Sequence, residues 1–577
     1  MISSTALAAP AFVFATLALG CSPPRAERPR SALLLTLDTT RADALGCYGE
    51  PHGVTPNLDR LEAEGVCYRW ARTTAPATAP AHASMLTGLY PPRHTVRDNS
   101  SSALPSSAVT LAERAREHGL QTAAFVAATV LDRTFGLAQG FEVYDQVSRA
   151  RQGSGPIYPS RPANEVVDAA LAWVRSRDRE RPFFLWVHLF DPHQPLRAPE
   201  EFIALAGGRP YLAEVAFMDR ELGRLLEALR EDGALEETLV IALADHGEGL
   251  GEHGEDTHGS FCFDSTLRVP LIVRDPSGQR AGERSQELAS VADVYPTVVE
   301  ALALGETGDV DGESLWRREL SEDRGVYFES YYGYLHYGWS PLAGWADRFG
   351  KYVHSSDPEL FDPARKPKEG QNLLAQAPER AAAYRERIAE VAARAALPAG
   401  EALDPALLAS VRQLGYTDAG GARGTLPGPL EDTGLPSPHA RAEELRRAAE
   451  ALRAAESGDR EGAIARLREL ARENPRNSFA LEYLGFYLID AGQPGEAIPV
   501  LEGLLAIGPE RASTHLNLGY CLQATGQDER AIAQFARVIE LDPLHVEGLQ
   551  NLITVLERNG RGVEAAELRK RLPRAGS

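Results

Sequence analysis

One spacing dominates the C-terminal quarter of this 577-residue chain. Gly458, Gly492, Gly526 and Gly560 recur every 34 residues; Ala463, Ala497, Ala531 and Ala565 keep the same interval, as do Pro475, Pro509 and Pro543. Leu484-Gly485 returns as Leu518-Gly519. A unit of this length holds two helices: glycine permits the turn, alanine lets the helices approach closely, and proline ends the second. Such a unit buries its apolar face only against a neighbour, so residues 439–577 must form an all-α stack of about four units.

The preceding residues follow a different rhythm. Short apolar runs at Leu33–Leu37, Ala123–Val126, Phe183–Leu189, Leu239–Ala244 and Leu271–Val273 alternate with amphipathic stretches such as Thr110–His118 and Glu165–Arg177. Continuously apolar runs suit strands buried on both faces of a parallel sheet. Residues 31–400 therefore read as an α/β sandwich. Residues 401–438, rich in Gly, Pro and Thr towards their end, read as a linker with a short helix.

Three strand ends in the α/β part carry chemistry. The first run ends in Asp38, the fourth in Asp245-His246, and Phe183–Leu189 leads into Asp191-Pro192-His193. Ligands in an open α/β sheet bind just past the carboxyl edge of the strands. Carboxylates and imidazoles converging there suit a divalent metal, although any one of them alone reads equally as a loop acid or helix cap. Between the first two strand ends lies Thr78-Ala79-Pro80-Ala81-His82-Ala83-Ser84-Met85-Leu86-Thr87-Gly88. Pro80 suits a first helical turn and Gly88 a C-terminal cap. Thr78 then stands at a helix N-terminus, where free N–H groups favour an anion, either as a cap or as a nucleophile activated by a metal. His188, inside a strand, reads equally as a core histidine or a neighbour of the site.

Taken together, Leu37-Asp38-Thr39-Thr40-Arg41, the Thr78–Gly88 segment with Leu89-Tyr90-Pro91, Ala244-Asp245-His246-Gly247-Glu248, His193-Gln194-Pro195, Leu267–Val273 and Glu359–Pro363 resemble the sulfatase family of the alkaline-phosphatase superfamily. The 34-residue unit resembles the tetratricopeptide repeat. These resemblances imply an alkaline-phosphatase-like three-layer α/β sandwich followed by a tetratricopeptide-repeat solenoid. The departures are informative. Sulfatases place a cysteine, converted to formylglycine, two residues before the motif proline and an arginine two residues after it; here these positions hold Thr78 and His82. That version is similar to the nucleotide pyrophosphatase/phosphodiesterase branch, whose nucleophile is threonine. Thr39 and His246 replace an aspartate and an asparagine of the sulfatase metal site. The implied ligands are Asp38, Thr78, Asp245 and His246, a set that suits zinc or manganese better than calcium. The same branch carries a second metal on an aspartate and two histidines, for which Asp191, His193 and His258 stand as candidates, with His253 as the alternative to His258. One or two divalent ions are thus implied, and Asn99 matches the superfamily's donor to a substrate oxygen, where its alternative role is a turn asparagine.

The function expected from these residues is metal-dependent hydrolysis of a phosphate mono- or diester by Thr78. Sulfate-ester hydrolysis, a phosphoethanolamine-type transfer, and an inactive domain that merely presents the repeats are the alternatives. The substrate is then a small-molecule, lipid or glycan ester, and the repeats take a protein partner on which catalysis should not depend. A net charge of −21 excludes a nucleic-acid partner, whose phosphates demand a basic face. Residues 1–21 read as a signal peptide ending in Leu19-Gly20-Cys21, which resembles a lipobox. The chain is thus expected to be exported to the periplasm, with lipidated Cys21 as its membrane attachment. A formylglycine-like string, Cys21-Ser22-Pro23-Pro24-Arg25, falls in this processing region and is set aside. The other four cysteines show no paired spacing and read as buried free thiols.

Overall fold

A computed structural model describes residues 28–99, 102–147, 160–316, 320–321, 323–366, 368–398, 426–507, 511–543 and 545–572. The signal segment, Cys21 and the linker up to residue 425 lie outside the described residues. The main sheet is built from β1 (Ser31–Leu37), β2 (Val66–Arg72), β3 (Gln121–Phe125), β4 (Val143–Asp145), β5 (Phe183–Leu189), β6 (Thr238–Leu243), β7 (Arg268–Val269), β8 (Leu271–Arg274) and β9 (Glu283–Ser290). Its order is β4-β3-β5-β1-β6-β8-β2-β7, with β9 paired to β2. The first five strands in that order run parallel, β8 is antiparallel to both β6 and β2, and β9 runs parallel to β2.

Every residue of β1, Ser-Ala-Leu-Leu-Leu-Thr-Leu, is buried because β5 and β6 flank it. The five expected strands are present, each within two residues of its expected bounds at either end. β2 and β9 carry no continuous apolar run; β9 reads Glu-Arg-Ser-Gln-Glu-Leu-Ala-Ser and is mostly exposed over its first half. Two groups of helices pack on the sheet. Pro56–Ala63, Ala163–Ser176 and Pro210–Glu231 make one, and Thr78–Thr87, Leu111–Glu117 and Val294–Ala301 the other. A second, antiparallel sheet follows, formed in order by β10 (Val326–Ser330), β11 (Leu342–Ala346), β12 (Lys351–His354) and β13 (Glu359–Phe361).

The C-terminal helices are Ala442–Glu456, Arg460–Glu473, Ser478–Asp490, Pro494–Ile507, Ala512–Ala524, Asp528–Leu541, Val546–Arg558 and Gly562–Arg569. Each periodic glycine closes a turn at positive φ: 92° at Gly458, 70° at Gly492, 75° at Gly526 and 74° at Gly560. The periodic alanines Ala463, Ala497, Ala531 and Ala565 are fully buried, as their role at close crossings requires. Cys47, Cys67, Cys262 and Cys521 are buried free thiols.

The repeats pack directly against the α/β part. Phe261, Cys262, Phe263, Tyr337 and Trp339 of the α/β part form one apolar cluster against which Ala442, Leu445 and Phe479 of the repeats pack. Tyr337 stacks between Trp339 (4.4 Å) and Phe479 (5.7 Å). Phe263 lies face to face with His439 (4.3 Å) and with His253 (3.6 Å). Several polar groups trapped in the junction are paired: Glu444 accepts from Trp339 Nε1 (3.3 Å), Asn474 (2.7 Å) and Asn477 (2.9 Å), and Ser478 donates to the His336 carbonyl (3.0 Å), while His439 Nε2 is buried without a partner. Buried polar groups with complete partners cement an interface instead of weakening it.

Candidate active site

Strand register builds the site. Thr36 on β1 lies opposite His188 on β5 and opposite Leu243 on β6. Asp38 and Asp245, each two residues beyond that level, therefore leave neighbouring strands side by side. The Asp38 N–H still bonds to the Leu189 carbonyl (2.9 Å), after which Thr39 turns the chain at a φ of 49°. That turn aims the Thr39 N–H at Asp245 Oδ1 (3.3 Å), which also accepts the His246 N–H (2.8 Å). Asp245 Oδ2 is left buried without a hydrogen-bond partner. The same division occurs at Asp38: Oδ2 accepts from His188 Nε2 (3.1 Å) and Thr78 Oγ1 (3.4 Å), while Oδ1 is buried and unpartnered.

Thr78 opens the helix Thr78–Thr87, closed by Gly88 at a φ of 72°, as Pro80 and Gly88 led us to expect. Asn99 Oδ1 accepts the Ala79 N–H (2.8 Å) at this helix N-terminus, which makes the Asn99 Nδ2 group the donor end. Thr78 Oγ1 also lies 3.4 Å from His246 Nε2. His246 Nδ1 donates to the Gly247 carbonyl (3.0 Å), so Nε2 presents a lone pair to the hydroxyl. That nitrogen is 3.9 Å from Asp38 Oδ1 and 3.4 Å from Asp245 Oδ2.

Burial raises the pKa of both Asp38 and Asp245 above the usual carboxylate range, and Asp38 raises Asp245 further. At His246 burial opposes the charged form, but Asp245 and Asp38 outweigh it and hold the imidazole above its ordinary value. Nearby arginines are engaged elsewhere, Arg41 with Asp43 and Glu252 and Arg97 with Glu329. Two unpartnered carboxylate oxygens, Asp38 Oδ1 and Asp245 Oδ2, buried beside His246 Nε2, call for a compensating cation. Asp38, Asp245 and His246 have ligand atoms within 4.8 Å of one another, and the donor set fits a divalent metal.

The second expected ligand set does not assemble as a unit. His193 and His258 come together, with ring centres 5.1 Å apart, and His258 lies 4.3 Å from His246. His253 instead stacks on Phe263, away from this group. Asp191 Oδ1 accepts the Ala163 N–H (2.9 Å) at the start of the helix Ala163–Ser176. Its carboxyl, pushed up to about 7 by burial, feels Glu214 and Glu221 and none of these histidines among its main influences. A helix N-terminus attracts a carboxylate, and that local gain explains the placement. The carboxylate beside His258 is Glu248 (Oε1 to Nδ1, 3.1 Å), whose Oε2 is buried and unpartnered. Sequence reasoning assigned Glu248 no role; its signal is its position two residues beyond His246.

A third group, His82, His188 and Asp245, also clusters within 4.8 Å. Three of its four imidazole nitrogens are hydrogen-bonded, and His82 Nε2 is buried without a partner. His82 Nδ1 donates to the Thr78 carbonyl (2.8 Å), and His188 Nδ1 accepts the Ala127 N–H (3.3 Å) while Nε2 faces Asp38. Burial pulls His82 down to about 3 and His188 to about 4, so both rings are neutral at pH 7. This group lies behind Thr78 as support.

The loop carrying His246 and His258 also holds a buried carboxyl. Glu255 is buried, accepts the Ser260 N–H (2.7 Å), and is pushed by burial up to about 8. Its folded-state pKa exceeds the ordinary glutamate value of 4.5. The stability it contributes is therefore fully present below pH 4.5 and lost as pH rises through about 8. Glu255→Gln should lose less stability than wild type between pH 5 and pH 9, read from urea midpoints at the two pH values. Equal losses in the two proteins would refute the assignment.

Comparison with known proteins supplies the context for this geometry. The sulfatase family profile matches residues 30–304, and tetratricopeptide-repeat profiles match residues 448–512 and 488–556. The chain is 28% identical over 405 residues to the steryl-sulfatase of Mus musculus, spanning 50% of this chain and 65% of that protein. It is 23% identical over 447 residues to an arylsulfatase of Clostridium perfringens, spanning 62% of this chain and 91% of that protein. Among solved structures, the phosphonate monoester hydrolase of Agrobacterium radiobacter superposes with a TM-score of 0.54 at 23% identity, over 63% of this chain and 95% of that one.

Proposed function

Residues 30–304 are a sulfatase-family domain and the C-terminal helices are tetratricopeptide repeats; from that premise we propose that the protein is a metal-dependent ester hydrolase acting on phosphate mono- or diesters through Thr78. The observation that carries this reading is the convergence of Asp38 Oδ1, Asp245 Oδ2 and His246 Nε2 around the Thr78 hydroxyl at the start of a helix. These residues would hold a divalent metal, which would supply positive charge to acidify the hydroxyl and offset charge on the ester oxygens. Thr78 Oγ1 forms a bond to phosphorus as the ester oxygen departs with a proton, and water then cleaves the Thr78 ester and restores the hydroxyl. Asp38 Oδ2 is the acceptor within reach of the hydroxyl proton, because the lone pair of His246 Nε2 would be taken up by the metal. Asn99 Nδ2 would donate to a substrate oxygen, and His193 and His258, with Glu248 as carboxylate partner, would be the residues to hold a second ion. Zinc or manganese suits the imidazole-containing set better than calcium.

Sulfate esters are the second reading, favoured by the relatives' names. The full chain should hydrolyse nitrophenyl phosphate or bis-nitrophenyl phosphate faster than nitrophenyl sulfate, lose activity on chelation, and regain it with zinc or manganese. Faster sulfate turnover would replace the phosphate reading, and inactivity with zinc, manganese and calcium alike would make the chain a repeat-presenting binding protein. The repeats supply a surface for a protein partner: Phe486 and Tyr520, one repeat apart in register, are 40% and 51% exposed. Export and lipid attachment at Cys21 complete the proposal and place a glycan or lipid ester within reach.

A further inference from the structure

His188 lies near the carboxyl end of the fully buried strand β5, which runs parallel to both of its neighbours. We propose that it is a positioning residue for Asp38: its Nε2–H holds Oδ2 and thereby reserves Oδ1 for a divalent cation, an inference that rests on the metal-dependent reading above.

The tautomer is dictated by the backbone. The Ala127 N–H can only donate, and it points at His188 Nδ1 (3.3 Å). The ring therefore carries its proton on Nε2, 3.1 Å from Asp38 Oδ2, and is a donor to that oxygen. A nitrogen carrying that proton cannot bind a metal, so His188 acts through Asp38. The ring is also held from two sides. Its edge meets His82 at 5.1 Å, and His82 is tied to the Thr78 carbonyl. Two residues earlier on the same face of β5, Trp186 Nε1 donates to Thr36 Oγ1 (2.9 Å), fixing the strand directly beneath Asp38.

Neutrality is what suits a histidine to this position. An arginine or lysine bonded to Asp38 would cancel the carboxylate charge and repel an incoming cation. A neutral donor orients the group and leaves its charge available. Outer hydrogen bonds of this kind set ligand orientation, and their loss typically lowers metal affinity about 10- to 100-fold.

Two amide substitutions separate the two hydrogen bonds. In His188→Asn the shorter side chain retains an acceptor for the Ala127 N–H but does not reach Asp38. In His188→Gln the amide reaches as far as Nε2 and restores a donor to Oδ2. Zinc affinity of the full-length chain is measured by competition with a chromophoric chelator, and cobalt(II) absorption reports ligand geometry. We expect His188→Asn to bind zinc about 10- to 100-fold more weakly with an altered cobalt spectrum, and His188→Gln to stay within roughly threefold of wild type. Wild-type affinity in a folded His188→Asn overturns the inference, and so does a folded His188→Gln that has lost metal; the glutamine variant decides alone if the asparagine variant does not fold. A wild-type chain that takes up neither ion overturns the metal-dependent reading and this inference with it. Metal uptake by wild type that His188→Asn leaves unchanged overturns the positioning role only.

Discussion

Thr78→Ala should lower turnover of an aryl phosphate by roughly 10³-fold or more, with the fold and metal uptake retained. The fold should survive because the Thr78 side chain bonds only through Oγ1, to Asp38 and His246. The helix it begins keeps its other supports: Asn99 still caps the Ala79 N–H, and Gly88 still closes the C-terminus. Alanine is also the best helix former. Metal uptake should persist because Asp38 Oδ1, Asp245 Oδ2 and His246 Nε2 remain. The loss is thus confined to the nucleophile. Thr78→Ser, which keeps the hydroxyl, should retain activity within about tenfold. Single-turnover experiments should trap label on Thr78 of the wild type and none at that position in Thr78→Ala. An alanine variant within tenfold of wild type would mean direct attack by water and would end the covalent mechanism.

The second large effect concerns the repeats. A chain ending at residue 437 is expected to aggregate or unfold, and with it all turnover should be lost. Tyr337 and Trp339 are 3% and 0% exposed in the intact protein, and the helices beyond residue 441 cover them. Uncovering two aromatic side chains of this size costs on the order of 5 kcal/mol, comparable with the net stability of a whole domain. The cut also removes the Glu444 carboxylate from Trp339 Nε1 and the His439 ring from Phe263. A chain ending at residue 543 loses only the helices Val546–Arg558 and Gly562–Arg569, which pack on the repeats alone in the contacts described. It should stay folded and active. Circular dichroism and nitrophenyl phosphate turnover on both truncations check this, and an active chain ending at 437 would restore the view that the repeats are separable.

This dependence explains why a linker is a poor guide to independence. Gly- and Pro-rich sequence between residues 401 and 438 announces that the chain changes style there. It says nothing about whether the domains on either side share a core. The contacts that join them, Phe479 on Tyr337 and His439 on Phe263, link residues 142 and 176 positions apart, and each of these residues reads locally as an ordinary surface aromatic.

At the site the division is similar. Asp38, Thr78, Asp245 and His246 were legible because each sits at a strand end or helix start, and those positions follow from local apolar runs and turn residues. Asp191 had the same credentials as Asp38, yet its carboxylate went to a helix N-terminus 28 residues earlier in the chain. Glu248 had none, yet it partners His258. His188 was ambiguous until the register placed it level with Thr36, beneath Asp38.

Periodicity is a local property, so the sequence by itself determined the 34-residue solenoid, the apolar strands of the main sheet and the order of the motifs along it, but not that Leu271–Arg274 runs antiparallel to its neighbours. Which oxygen of each carboxylate is bare, which way each imidazole carries its proton, and how the repeats close over Trp339 depend on hydrogen bonds and packing between residues far apart in the chain. Those are settled by competition among partners in three dimensions: a carboxylate takes the nearest N–H, a buried ring the nearest apolar face, and only the tertiary structure decides which is nearest.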